Sequence, residues 1–340
     1  MPALRQNPAL YLVVPFLFFG EFIATLRLAR RLRPALIYAH WFTPQAIVAS
    51  LVSRMTRIPF VFTTHASDVD VWRRVPGLGP RLVRAACANA TAITAVSSRS
   101  RAKLTAFFGE NDAAVPVDVI PMGVFVPDAA ADPRERAALR TRLGFDGKVV
   151  YLSIGRLVEK KGLRFLLAAL EQVEDELADW VLVIAGDGPL RDEIQAAVST
   201  RGLSDRVVFA GFVTGLAKEE YFRAADVLVV PSIVASDGDA EGLPVALLEG
   251  LAHGLICIAT NESGADDVVT HGIDGFLCPQ QDGSALAAQL TAVDALGADE
   301  REALAGRARD LARQFSWAVI AQRHYDALIA PIIRGSRVHR

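Results

Sequence analysis

Cysteine is scarce: Cys87, Cys257 and Cys278 are the only three in 340 residues. No two of them stand at a metal-ligand or redox spacing, so a reduced, cytoplasmic setting is expected. Lysine is nearly as rare, found at 103, 148, 160, 161 and 218 in an otherwise arginine-based chain, which reads as a coding bias with little functional content. A charge excess of one sign is also missing. With 36 Lys+Arg against 38 Asp+Glu the net charge is −2, and a dedicated nucleic-acid binder is not expected. No short repeat or low-complexity tract occurs. Nor does any apolar run reach the ~20 clean residues of a membrane span. The nearest, residues 10–26, is broken by Pro15, Gly20 and Glu21 and is followed by Arg27, Arg30 and Arg31. It reads first as a buried amphipathic helix with an adjoining loop, then as an interfacial membrane segment, and last as a span. No convincing small-residue cleavage site follows, which argues against a signal peptide.

What is present is a folded, apolar-rich chain. Hydrophobic residues make up 52% and charged residues 22%, which excludes disorder, collagen and coiled coils. At roughly 150 residues per domain, the length suggests two domains. The charge is split between them. Residues 1–126 carry 14 Lys+Arg and 6 Asp+Glu, a net of +8, and the remaining residues carry a net of −10. Such asymmetry suggests that the first half meets something anionic.

Short apolar runs alternate with helical patterns from residue 35 almost to the end, as in repeated βα units with parallel sheets. Strands are expected at 36–39, 60–64, 92–96 and 117–120, then at 149–154, 181–185, 207–210, 227–230, 256–259 and 275–277. The expected organisation is a first domain over 1–126, a linker with one polar helix over 127–148, a second domain over 149–315, and a C-terminal helix over 316–340 that packs back toward the first domain.

In an open parallel sheet, ligands bind beyond the carboxyl ends of the strands, and most of the punctuation in the second half falls there. GRLVEKKG at 155–162 presents Arg156 and Lys161; two cations suit a diphosphate, although solvated turn charges are spelled the same way. Gly186-Asp187-Gly188-Pro189 either lets a ligand approach the backbone or is an ordinary strand-to-helix turn. In EGLPVALLE at 241–249, Pro244 marks a first helical position. That makes Leu243 an N-cap without a side-chain oxygen and leaves the amides of Val245, Ala246 and Leu247 free for an anion. Glu249 follows in an apolar segment, where a carboxylate suits vicinal hydroxyls such as those of a ribose. Glu241, just before the helix, is placed to meet a sugar or phosphate group.

GRLVEKKG, AGDGP and EGLPVALLE, in this order and spacing, resemble the nucleotide-sugar domain of the family-four retaining glycosyltransferases. The likeness covers residues 35–333. It implies an α/β chain of the GT-B fold, with two Rossmann-like domains facing across a cleft. It also implies a retaining transfer of a hexosyl group from a nucleotide diphosphate sugar to a hydroxyl acceptor, in polysaccharide or glycolipid synthesis. Arg156 and Lys161 would hold the diphosphate, Glu249 the ribose and Glu241 the donor sugar. Gly186, Asp187, Gly242, Leu243 and Val245 would line the donor, and the backbone around Phe212 would meet the base. His65 and Asp68 resemble the family's acceptor-side histidine motif, with Ala66-Ser67 in place of the usual Gly; alone, His65 reads equally as a hydrogen-bonded structural group. His40, ending an earlier strand, is a weaker candidate.

No cofactor or metal is implied. Asp68-Val69-Asp70 and Asp237-Gly238-Asp239 spell Asp-x-Asp pairs, but a diphosphate held by Arg and Lys does not require an ion. The family's opening strand and Gly-rich loop find no counterpart in the sequence, so the first domain is expected to be shortened, either by a start placed too far downstream or by natural truncation. The expected partners are a nucleotide-sugar donor, a lipid-linked or saccharide acceptor and an anionic inner membrane face, met by Arg27, Arg30, Arg31, Arg33, Arg73, Arg74, Arg81 and Arg84. Two other readings stay open: a catalytically inactive sugar-nucleotide binder, and a GT-B-fold epimerase or phosphorylase.

Overall fold

A computed structural model describes residues 12–65, 68–109 and 116–333. The chain divides into two compact units, one running to Pro121 and resuming at Ala321, the other spanning Met122–Ile320.

In the first unit, four strands form a parallel sheet in the order β1-β2-β3-β4: β1 Ile37–His40, β2 Phe60–Thr64, β3 Ala92–Ala95 and β4 Val117–Val119. Side chains alternate across the central strand, as the pleat requires. Phe60 and Phe62 enter a core with Phe42, Val83, Ile93 and Leu104, while Val61, on the other face, meets Leu328 and Ile332. The C-terminal residues are therefore part of this unit's packing.

The apolar N-terminal stretch departs from its expected form. It is one continuous helix, Val14–Leu32, with Pro15 in the first turn, where a missing amide costs nothing. Its Leu26 and Ala29 pack with Val48 and Val52 of the helix Ile47–Thr56, while Phe16 and Phe19 are 75% and 65% exposed. It is therefore buried along one stripe only, where the neighbouring helix covers it, and it runs on past Leu26 to Leu32. Residues 10 and 11 lie outside the described residues. No described helix is long and apolar enough to cross a membrane.

The second unit holds a six-stranded parallel sheet in the order β10-β9-β8-β5-β6-β7. Its strands are β5 Val149–Ile154, β6 Trp180–Ala185, β7 Val207–Gly211, β8 Val227–Val230, β9 Ile256–Thr260 and β10 Phe276–Cys278. The inner strands β5, β6, β8 and β9, buried on both faces, read as near-continuous apolar runs, as doubly wound sheets do. Tyr151, Leu182, Ile184 and Val229 pack with Leu166, Leu167 and Leu170 of the helix Leu163–Val173.

Residues 127–148 are built into this unit rather than forming a linker. They contain the helix Pro133–Leu143, whose N-cap Asp132 accepts from the amides of Arg134 and Glu135. From this helix Arg136 Nη2 reaches Asp226 Oδ1 at 2.7 Å, and Arg140 pairs with the other carboxylate oxygen. Asp226 in turn accepts from the Val150 amide at 2.8 Å, so the polar helix, whose one buried residue is Leu139, is tied to the start of the sheet chiefly by ion pairs.

Candidate functional site

The strand order of the second unit reverses between β5 and β8, and the crevice beyond such a switch point is where an open parallel sheet binds ligands. The four strands of the first sheet run in simple sequence and offer no equivalent point.

The loops beyond β5, β6 and β8 interlock through their backbones. A Cβ on Gly186 would lie 1.8 Å from the Gly155 carbonyl oxygen, and one on Gly162 would lie 1.9 Å from that of Pro231. Both glycines have positive φ, at +150° and +64°, so no other residue fits without displacement. Gly155 N donates to Ala185 O, Leu157 N to Asp187 O, and Ile233 N to Lys160 O. Gly186 and Asp187 thus set the spacing of the loops, and the Asp187 carboxylate accepts from the Gly188 amide at 2.7 Å.

On this platform Lys161 Nζ lies 3.1 Å from Glu241 Oε1, and Lys160 Nζ lies 3.2 Å from Asp239 and 3.7 Å from Glu241. Glu159 accepts from both the amide and the hydroxyl of Ser236. Arg156 is exposed, and among the described residues no protein group pairs with its guanidinium. The helix Val245–Ala252 begins one residue later than the sequence suggested: Pro244 is the N-cap. Because Leu247 N donates to Pro244 O at 3.0 Å, the free amides narrow to Val245 and Ala246. Gly242 and Leu243 lead into this turn, and the Leu243 side chain is buried, leaving only its backbone to a ligand.

One helical turn further on, Glu249 Oε1 lies 2.5 Å from Lys218 Nζ, a partner that sequence reasoning missed. Lys218 sits on the helix Gly215–Ala224, beyond β7 and the 77% exposed Phe212. The sequence carried one hint of it, the rarity of lysine. In an arginine-based chain, three of the five lysines, 160, 161 and 218, pair with acidic residues of this site. Chemically the arrangement offers fixed cations and free amides for phosphates, and two carboxylates for hydroxyls.

The first unit gathers a separate cluster. Asp68 Oδ2 accepts from the Phe42 amide at 2.6 Å and the His65 amide at 3.0 Å, and Oδ1 accepts from the Thr64 hydroxyl at 2.6 Å. Burial pushes its pKa up to about 6 against the opposing pull of those hydrogen bonds. The carboxylate is therefore turned into the backbone and holds His65 in place. His65 Nε2 lies 3.3 Å from His40 Nδ1, and its ring stacks on Trp41 with centroids 4.9 Å apart. Burial, with the neighbouring His40 and His324, lowers its pKa to about 4, which keeps it neutral near pH 7. His324 joins from the C-terminal helix, where Nδ1 lies 2.9 Å from the Tyr38 hydroxyl.

The aspartates of both Asp-x-Asp pairs have protein partners. Asp70 pairs with Lys103 at 2.9 Å while Asp68 clamps the backbone, and Asp237 accepts from the Asp239 amide while Asp239 meets Lys160.

Residues 135–310 match the family of group 1 glycosyl transferases, and residues 4–126 match glycosyltransferase family 4. The chain is 31% identical over 269 residues to a GDP-mannose-dependent alpha-(1-6)-phosphatidylinositol monomannoside mannosyltransferase of Mycolicibacterium smegmatis, covering 78% of this chain and 68% of that protein. It is 35% identical to the amylovoran biosynthesis glycosyltransferase AmsK of Erwinia amylovora over 46% of this chain and 38% of that one, so it spans well under half of the latter's length. Among solved structures, Anabaena Alr3699/HepE in complex with UDP and glucose superposes with a TM-score of 0.76 at 23% identity, over 90% of this chain and 80% of that one, a likeness of fold. The chain belongs to the group 1, family 4 glycosyl transferases and has their GT-B fold of two Rossmann-like domains.

Proposed function

We propose that the protein moves a hexosyl group from a nucleotide diphosphate sugar to a hydroxyl acceptor, with retention of configuration and without a metal or other cofactor, in polysaccharide or glycolipid synthesis. The observation that carries this is the group assembled beyond β5 and β8: Arg156, Lys161, the free amides of Val245 and Ala246, and the carboxylates Glu241 and Glu249.

As the glycosidic bond breaks, negative charge gathers on the departing diphosphate. Arg156, Lys161 and the helix-end amides stand ready to stabilise it without reorganising. Lys161 pairs with Glu241 at 3.1 Å, so a diphosphate would compete for the cation and leave the carboxylate to the sugar hydroxyls. Glu249, held by Lys218, would accept from the ribose. The backbone around Phe212 would meet the base, and His65, positioned by Asp68, would act in the transfer step.

GDP-mannose is the first donor to test, since the mycobacterial relative is named for it, with UDP-glucose as the comparison. The acceptor is read as lipid-linked or saccharide, reached from an anionic inner membrane face through the helix Val14–Leu32 and the exposed arginines beyond it.

Calorimetric titration should give saturable donor binding that weakens about tenfold or more in Glu249→Ala and Arg156→Ala, with melting behaviour unchanged. Unaltered affinity in both variants would sink the assignment. Donor binding without release of nucleoside diphosphate would point to an inactive binder, and turnover without a new glycosidic bond to an epimerase or phosphorylase. His65→Ala should lose far more transfer than donor affinity.

A further inference from the structure

Trp41 follows the last residue of β1, at the carboxyl end of the first sheet, and is 48% exposed. Its backbone stands at φ 76°, ψ 140°, a strained region that bulky side chains avoid. The surroundings fix it there: the Trp41 amide donates to Thr63 O at 3.0 Å, and its carbonyl accepts from Ala46 at 3.2 Å. The same backbone turn sends the next amide, that of Phe42, onto Asp68.

One face of the indole rests on His65 at an interplanar angle of 17°. Among the described residues no other ring stacks on it, and the indole N–H has no partner. His65 in turn contacts His40, which leads on to Tyr38 and His324 through ring contacts and the Tyr38–His324 hydrogen bond.

A large aromatic surface held open to water at the cost of backbone strain, with a free donor at its edge, is poorly explained by packing. It offers an electron-rich face and an N–H side by side. A pyranose ring has the matching surface, because its axial C–H bonds form an electropositive apolar patch rimmed by hydroxyls.

We infer that Trp41 is a stacking platform for a pyranose ring of the saccharide acceptor, with the indole N–H donating to one of its hydroxyls. The stacked imidazole orients the indole, and His65 is itself linked to His40, Tyr38 and His324. Calling the sugar an acceptor rests on the transfer reading above; the platform itself rests on the geometry of Trp41.

Saturation-transfer NMR separates the two. Methyl α-D-mannopyranoside and methyl α-D-glucopyranoside serve as probes, with GDP-mannose titrated calorimetrically into the same preparations. Saturating aromatic protons should transfer to the pyranose C–H protons of at least one glycoside in the wild type. The effect should persist in Trp41→Phe, which keeps a ring, and fall about fivefold or more in Trp41→Ala, the loss expected for one aromatic contact. Equal transfer from the Ala variant, or none in the wild type, overturns the platform. Donor binding without saturation transfer overturns the platform and leaves the transfer reading intact. Saturation transfer without donor binding does the reverse.

Discussion

At Asp68 two titrations oppose each other. Its folded pKa is raised to about 6 from an ordinary 3.8, so between those values the folded chain holds a proton that the unfolded chain has lost, and stability falls as pH rises. His65, lowered to about 4 from 6.5, works in the opposite sense: between those values the unfolded chain binds the extra proton, and stability rises with pH. From pH 4 to 6 the two nearly cancel. Asp68→Asn removes one side of the balance, so its melting temperature should fall as the pH drops from 6.5 to 4, while the wild type stays flatter. Parallel pH dependence in the two proteins would show that Asp68 does not carry a raised pKa, and a flat response of the variant would show that His65 is not held neutral in the folded state. Lys218 makes a second prediction at this scale. Lys218→Met leaves Glu249 without its partner in a half-buried position, so nucleotide affinity in calorimetry should fall about three- to tenfold, less than in Glu249→Ala.

At the scale of elements, the donor site depends on how loops interlock, and Gly186 is the tightest point. Gly186→Ala adds a Cβ 1.8 Å from the Gly155 carbonyl and at unfavourable φ, which must push the loops after β5 and β6 apart. The expected cost is about 3 kcal/mol or more in denaturant unfolding, with loss of donor binding; a wild-type midpoint would mean that the loops yield freely. This element also shows what the sequence made legible and what it did not. The inner strands of the second sheet stand out because both faces are buried and their runs are nearly continuous. Arg156, Lys161, Glu241 and Glu249 stood out because they flank glycines and a helix start. Lys218 did not, since its pairing with Glu249 is made in three dimensions across 31 positions. The start of the helix Val245–Ala252 was misplaced by one residue because Pro suits both the N-cap and the first turn. The helix Pro133–Leu143 looked like a linker because its attachment is chiefly ionic, through Arg136, Arg140 and Asp226, and leaves no apolar stripe to read.

For the whole molecule, the uneven charge gains meaning from the helix Val14–Leu32. On its exposed side, Phe16 and Phe19 are followed about three turns later by Arg27 and Arg30, which therefore share their face. An apolar half followed by a basic half suits an anionic interface, with the rings entering the acyl boundary and the guanidinium groups at the phosphates. The net +8 of residues 1–126 adds a long-range attraction that salt screens beyond about 10 Å at 0.1 M. Sedimentation with phosphatidylglycerol vesicles should therefore exceed that with phosphatidylcholine vesicles and fall as salt rises. Each basic residue near the surface contributes about 1 kcal/mol, so reversing Arg27, Arg30 and Arg31 to Glu should weaken binding to the anionic vesicles a hundredfold or more, as an order of magnitude. Phe16→Ser with Phe19→Ser should instead lower the salt-resistant remainder, because it removes buried apolar area and leaves the charge in place. Equal sedimentation with both lipids would place this helix face against something other than an anionic membrane.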